Sequence, residues 1–238
     1  MSTEPLLPAE AATGRKNAPA ESPKPLLRGW FHAVAAVAAA IFTLLLCMLT
    51  RQNTLRLVTM LVFGLSMVEL YTVSATYHIG TGRWSATTAR RLRALDHANI
   101  FLLIAGTYTP LCIALLSGWL QPAILVSIWG LAVIGVSLAS LTLRAPRWLS
   151  ASLYLGMGWV AVLALPAFLQ RLPGVAVWLL LMGGALYTTG AVIYARKRPN
   201  PFPRVLGFHE IFHLLVIAGS VVFSVVIARW AAVSPPPV

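Results

Sequence analysis

Long apolar segments follow one another along most of the chain, separated by short polar stretches. A helix needs about 20 apolar residues to cross a hydrocarbon core of about 30 Å, and seven segments reach that length. They lie at 30–50, 55–77, 97–117, 120–142, 148–170, 174–195 and 206–229. The pattern predicts an all-α integral membrane protein, a bundle of seven transmembrane helices.

Composition agrees with a protein that lies mostly in lipid. Hydrophobic residues make up 58% of the 238 residues and charged residues only 10%, against about 25% charged residues in soluble domains. The net charge is nevertheless +12, from 18 Lys and Arg against 6 Asp and Glu. In a soluble protein such basicity would suggest nucleic acid. In a membrane protein the distribution of basic residues first indicates which side of the membrane each loop faces. We expect membrane lipids rather than nucleic acid as partners.

The basic residues fall mainly on one side of the predicted bundle. If successive loops alternate sides, 14 Lys and Arg residues lie on the side of the N-terminus and 4 lie on the other. The positive-inside rule then places the N-terminus in the cytoplasm and the C-terminus outside.

The ends of the chain differ from the membrane domain. Residues 1–28 are rich in Pro, Glu, Lys and small polar residues and have too few large apolar side chains to offset the entropy cost of ordering. We therefore predict a disordered cytoplasmic tail over 1–28, a seven-helix domain over 29–230 and a short external tail over 231–238. The acidic residues and prolines of the tail do not resemble a signal peptide.

Histidines gather at one end of the predicted bundle. With the topology above, all five lie near the cytoplasmic leaflet, although they come from helices distant in sequence. Ionisable groups in membrane segments are costly and usually face the bundle interior or a cavity. For His78, His209 and His213 we favour a shared site over separate interfacial residues exposed to water.

Helical spacing selects the candidate metal ligands. His209 and His213 are four residues apart, so their imidazoles project from one helix face. Ser74 and His78 have the same spacing, which places a hydroxyl one turn below an imidazole. A catalytic zinc takes about three protein ligands and leaves a fourth position for water. We predict Zn²⁺ bound by His78, His209 and His213, with Asp96 and Ser74 holding and deprotonating the water.

The segment from His209 to His213 also matches H-E-x-x-H, in which the glutamate of a zinc protease acts as general base. Five-residue matches arise by chance, and no metal ligand follows this one. Asp96, the carboxylate that could serve as a distant third ligand, is followed by His97 and not by the glycine typical of intramembrane metalloproteases. Glu210 points about 100° away from His209. Contact with the basic inner loop explains Glu210 at least as well as catalysis does.

The remaining ionisable residues are weaker candidates. Glu69 lies on the opposite side of the second helix from His78 and about 13 Å deeper, so we predict a structural role or a second polar contact for it, and not a ligand. His97 points away from the direction of Asp96, and His32 has no partner at helical spacing. We place both histidines outside the ligand set, as supporting or interfacial residues.

Three motifs in order resemble those of the bacterial hemolysin III family. They are Ser74-Ala75-Thr76-Tyr77-His78, the stretch from Leu95-Asp96-His97 to Thr109-Pro110, and His209-Glu210-Ile211-Phe212-His213-Leu214. That family belongs with the progestin and adipoQ receptors, which include the adiponectin receptors. The resemblance covers the whole membrane domain. It implies a seven-helix, multi-pass protein of the bacterial plasma (inner) membrane, with the N-terminus inside and zinc in the cytoplasmic half.

The resemblance also implies roles for single residues. Family positions correspond to His78, His209 and His213 as zinc ligands, with Asp96 and Ser74 holding the zinc-bound water. Alkaline ceramidases are similar in this site and hydrolyse lipid amides, so the resemblance implies an intramembrane hydrolase.

Three functions fit these features. The first is a zinc-dependent hydrolase in which Asp96 takes a proton from the water that attacks a lipid amide or ester. The second is a non-enzymatic membrane-homeostasis or receptor-like protein, in which a structural zinc ion holds the second and seventh helices together. The third is pore formation, as the family name suggests. We rank it lowest because the outer halves of the third to seventh helices are nearly free of charge.

Overall fold

The computed structural model describes residues 25–141 and 146–233. Within these ranges the chain is helical, apart from turns and an isolated bridge between Phe202 and Leu206. The helices are α1 (Trp30–Thr50), α2 (Thr54–Ile79), α3 (Ala86–Leu115), α4 (Leu120–Leu141), α5 (Arg147–Trp159), α6 (Ala161–Arg171), α7 (Gly174–Arg196) and α8 (Phe208–Val226). A π-helical turn, Ile227–Ala231, continues α8. With α5 and α6 counted as one span, seven spans in the described part are long and apolar enough to cross a membrane, which confirms the predicted fold class.

The outer surface of the bundle is apolar. Large hydrophobic side chains such as Val34, Met48, Val126 and Trp178 are each at least 70% exposed. A surface covered in this way is compatible with lipid and not with water. The apolar outer face agrees with an integral membrane protein.

Helix α3 lies at the centre of the bundle. It packs against α2 and α4 and also contacts α5 and α6, and it is the most deeply buried of the spans. Small residues allow the close approach, because a Cβ at Gly106 would overlap Ser66 of α2, and one at Gly64 would overlap Thr43 of α1. Small residues at helix interfaces are typical of membrane proteins. The first three helices therefore form a tight unit around α3.

Helix α3 begins well before the apolar segment that predicted it. The predicted span was 97–117, whereas the helix starts at Ala86, where Ser85 Oγ accepts a hydrogen bond from Thr88 N at 3.2 Å. Hydropathy marks only the part of a helix that is apolar, so the basic first turns were missed. The extension matters because Asp96 lies inside a continuous helix, and its direction is set by the turns on both sides.

The span predicted at 148–170 is two helices. Helix α5 ends at Trp159 and α6 begins at Ala161. The hydroxyl of Tyr108 in α3 donates to Gly158 O at 2.6 Å and accepts from Ala161 N at 2.6 Å. Unpaired backbone groups are costly in lipid. A side chain of the central helix therefore satisfies the backbone groups that the break exposes.

Candidate metal centre

The last turns of α2 carry Ser74 and His78. Both residues lie inside the continuous helix Thr54–Ile79, so their spacing of four places them on one face. Ser74 is only 1% exposed. The hydroxyl therefore lies inside the bundle, one turn deeper than the imidazole.

The first turns of α8 carry His209 and His213. Their ring centroids are 4.5 Å apart, and His209 Nε2 lies 3.1 Å from His78 Nε2. One ring nitrogen from each of the three histidines falls within 4.8 Å of the other two. Residues 131 positions apart in sequence are thus brought to one point.

The donor set fits a metal ion with nitrogen ligands. Zn–N bonds of about 2.0–2.1 Å in tetrahedral geometry place ligand nitrogens about 3.4 Å apart, and Nε2 of His209 lies 3.1 Å from Nε2 of His78. Nδ1 of His213 and Oγ of Ser74 are buried and have no hydrogen-bond partner among the described residues. Buried polar groups normally have partners. The cluster could therefore hold a metal ion, and imidazole nitrogens are ligands that suit zinc.

Asp96 approaches the histidines from α3. Its Oδ2 lies 3.6 Å from His78 Nε2. Asp96, Ser74, His209 and His213 also line a small cavity of about 20 Å³, which is enough for about one water molecule. A carboxylate, a hydroxyl and the imidazoles of His32, His97, His209 and His213 therefore line one water-sized space.

His32 of α1 packs against the same cluster, whereas the sequence left it as a supporting or an interfacial residue. Its ring stacks on that of His213, with centroids 3.8 Å apart and planes at 13°. It is 2% exposed, and neither ring nitrogen has a partner in the part of the chain that the structure describes. Spacing along one helix could not find it, because its neighbours come from other helices. The available signal was its place at the same end of the bundle as the other histidines.

His97 and Glu69 lie away from the three clustered nitrogens. Nε2 of His97 is 3.5 Å from the hydroxyl of Tyr194 in α7, so its ring extends toward α7 and not toward His78, although the residue also lines the edge of the small cavity. Glu69 is exposed on the outer face of α2. Neither residue is placed as a ligand.

Glu210 is fully buried, and both of its oxygens are engaged outside the histidine cluster. Oε1 accepts a hydrogen bond from Arg28 Nε at 2.6 Å, and Oε2 accepts one from Gly207 N at 2.8 Å. The expected contact with a basic inner segment exists, but the partner precedes α1. Glu210 therefore caps α8 and is not placed as the general base of an H-E-x-x-H protease.

A larger apolar cavity of about 150 Å³ adjoins the small one. It lies among α2, α3, α5, α6, α7 and α8, and its lining is almost wholly apolar. The residues that line both cavities are Leu70, Ile100, Tyr154, Phe212 and Val216. The polar histidine end of the bundle thus continues into an apolar interior.

Comparison with known proteins agrees with this architecture. The family model "Haemolysin-III related" matches residues 21–224. The hemolysin-3 homolog of Bacillus subtilis (strain 168) is 36% identical over 164 residues, which cover 69% of this chain and 73% of the relative. Hemolysin-3 of Bacillus cereus is 33% identical over 193 residues, covering 79% and 83%. The adiponectin receptor protein of Drosophila melanogaster is 34% identical over 157 residues, covering 58% and 35%. With seven membrane-spanning helices and a match along most of its length, the chain belongs to the haemolysin-III related family and is related to the adiponectin receptors.

Proposed function

We propose that this protein is a zinc-dependent intramembrane hydrolase that cleaves an amide or ester bond of a membrane lipid. One observation carries the proposal: three histidine nitrogens within 4.8 Å of one another adjoin a carboxylate and a hydroxyl, beside an apolar cavity. Polar groups that can activate water thus lie next to a space that accepts hydrocarbon. With the N-terminus in the cytoplasm, this centre lies in the cytoplasmic half of the plasma membrane.

The residues divide into ligands and groups that handle the water. His78, His209 and His213 would hold Zn²⁺, which when bound supplies Lewis acidity that polarises a carbonyl and makes water more acidic. Asp96 lines the water-sized cavity and accepts a proton from the attacking water, as a general base does. The hydroxyl of Ser74, one turn below His78, holds that water by a hydrogen bond.

The apolar cavity supports a lipid substrate over a soluble one. Its volume of about 150 Å³ is lined by apolar side chains such as Leu103, Leu111 and Phe168. An acyl chain in this cavity would leave its carbonyl at the end where the linings of the two cavities meet. Burial of each CH₂ group contributes about 0.8 kcal/mol, so a chain there would also orient the scissile bond.

The test is fatty acid release from a panel of amide- and ester-linked lipids by the purified, zinc-loaded protein. We expect release from at least one lipid class. Asp96→Asn should lower the rate by about 100-fold or more, because general base catalysis contributes that much, while bound zinc stays unchanged. Glu69→Gln is the matched control, since it replaces a carboxyl group on the outer face, and it should keep full activity. If the protein at full zinc occupancy releases fatty acid from none of the lipids, the proposal is wrong.

A second candidate is a non-enzymatic membrane-homeostasis or receptor-like protein with structural zinc. The observation that favours it is that the three clustered nitrogens come from two helices, α2 and α8, so a metal ion would join them. In that case Asp96→Asn should leave function intact, whereas His213→Ala should lower both metal content and stability. Loss of function in Asp96→Asn with normal folding and metal content speaks against this candidate.

A further inference from the structure

Residues 25–29, here called the N-terminal strap, cross the first turn of α8. Residues 25–28 belong to the segment for which the sequence predicted disorder, but they make ordered contacts, while 1–24 lie outside the described residues. Leu26 N donates to Arg204 O at 3.0 Å, which ties the strap to the segment before α8. Two residues later, Arg28 Nε bonds Glu210 Oε1 at 2.6 Å. The strap is thus fixed to the helix that carries His209 and His213 by one backbone bond and one ion pair.

Glu210 joins the strap to the cap of α8. Its side chain is fully buried, while the side chain of Arg28 is 20% exposed. The second oxygen of Glu210 accepts from Gly207 N, and Asn200 Oδ1 accepts from Phe208 N at 2.9 Å. A buried carboxylate without its cation is strongly unfavourable, so the strap and the first turn of α8 hold each other in place.

The strap also touches the helix that carries His78. Gly29 has φ +89°, and a Cβ built there would lie 3.0 Å from His78 Cβ and 2.9 Å from Ile79 Cγ1. The strap backbone therefore lies directly on the end of α2. The strap therefore contacts both histidine-bearing helices, α2 through Gly29 and α8 through Arg28.

We propose that Arg28 and Glu210 are positioning residues for the histidine centre. Their ion pair fixes the first turn of α8 against the strap, and the strap fixes that turn relative to His78. The separation of His209 from His78 then depends on a salt bridge that contacts neither ring. This inference rests on the proposed metal centre, and it assigns the glutamate of H-E-x-x-H to ligand geometry and not to proton transfer.

The test is the metal affinity and ligand field of the full-length protein in detergent. Zn²⁺ affinity is measured by competition with a chromophoric chelator, and geometry is read from the visible spectrum of the Co²⁺-loaded protein. Arg28→Ala and Glu210→Ala should each weaken Zn²⁺ binding about 10-fold or more and shift the Co²⁺ bands at saturating metal. The double variant should be no weaker than the worse single variant, because both remove the same ion pair.

Two further variants separate positioning from folding. Glu210→Gln keeps an acceptor for Gly207 N, so it should recover part of the affinity lost in Glu210→Ala. Arg91→Ala removes an exposed arginine of α3 at the same end and should change neither affinity nor spectrum. If Glu210→Ala does not fold, Arg28→Ala and Glu210→Gln carry the comparison, with thermal unfolding of the metal-free proteins as the folding control.

The outcomes distinguish this inference from the proposed hydrolase. Wild-type affinity and spectrum in both single variants, or losses that add in the double variant, overturn the positioning role. Absence of Zn²⁺ binding by the wild type overturns it together with the metal centre. If the wild type binds Zn²⁺ and the variants bind it weakly, yet no lipid is hydrolysed, positioning stands and the hydrolase fails.

Discussion

His97 differs from His78, His209 and His213 in the groups that lie near its ring nitrogen. Nitrogens of the latter three converge within 4.8 Å, whereas Nε2 of His97 lies 3.5 Å from the hydroxyl of Tyr194. A metal ion requires donor atoms on one centre. At the scale of the residue, the direction of each ring decides whether a histidine at this end is a ligand.

The zinc content of histidine variants should depend on the direction in which the replaced ring points. We expect about one Zn²⁺ per chain in the wild type and nearly none in His78→Ala, because two imidazoles are too few ligands for a stable zinc site. His97→Ala is the matched control and should keep its zinc. Elemental analysis of the purified proteins measures both. Equal loss of zinc from the two variants would contradict the assignment of ligands.

At the scale of the helices, the ends of three helices position the histidine centre. The last turns of α2 and the first turns of α1 and α8 supply its histidines, and the N-terminal strap links α2 with α8. Helix ends carry free backbone groups that need caps, so small local changes there move the side chains beside them. The break between α5 and α6 likewise exposes backbone groups that need hydrogen-bond partners.

Gly29→Ala should damage the centre more than Gly82→Ala. Both glycines have φ +89°, but a Cβ at Gly29 meets His78 while one at Gly82 meets nothing within 4 Å. Both variants carry a left-handed strain of about 1–2 kcal/mol, and Gly29→Ala should also weaken Zn²⁺ binding. Thermal unfolding and chelator competition measure the two effects. Equal results for the pair would mean that the contact with His78 is unimportant.

Tyr108→Phe should destabilise the bundle. It leaves Gly158 O and Ala161 N without the hydroxyl that bridges them, and each unsatisfied buried group costs about 1–3 kcal/mol. Tyr77→Phe serves as control, because its hydroxyl makes no hydrogen bond to the described residues. The free energy of unfolding, measured in a denaturing detergent, should be at least about 1 kcal/mol lower for Tyr108→Phe than for Tyr77→Phe. A Tyr108→Phe variant as stable as the control would show that α5 and α6 need no support from α3.

Orientation in the membrane belongs to the scale of the whole molecule. The histidine end also carries most of the basic residues, among them Arg28, Arg90, Arg93, Arg196 and Arg204. The other end has Arg56, which donates to Ala232 O at 3.2 Å. Since basic residues favour the cytoplasmic side, we predict that the proposed site lies in the cytoplasmic leaflet.

Reporter fusions test this orientation. Alkaline phosphatase fused at the C-terminus should be active, because that enzyme needs the oxidising environment outside the cytoplasm for its disulfides. A fusion after Asn200, in the segment between α7 and α8, should be inactive. The reverse pattern would place the histidine centre in the outer leaflet.

Local physics explains what the sequence by itself determined. The number of spans follows from apolar length against bilayer thickness, and the first predicted span, 30–50, coincides with α1. Likewise, the shared faces of Ser74 with His78 and of His209 with His213 follow from the helical period. These properties depend on residues close together in the chain.

Only the tertiary structure decided which distant side chains meet. The stacking of His32 on His213, the support of the α5–α6 break by Tyr108 and the pairing of Arg28 with Glu210 across 182 residues all join separate helices or segments. Hydropathy and spacing carry no information about how helices pack around one another or about which ring faces which neighbour. The sequence therefore supplied the candidate ligands, and packing around α3 and the strap decided their geometry.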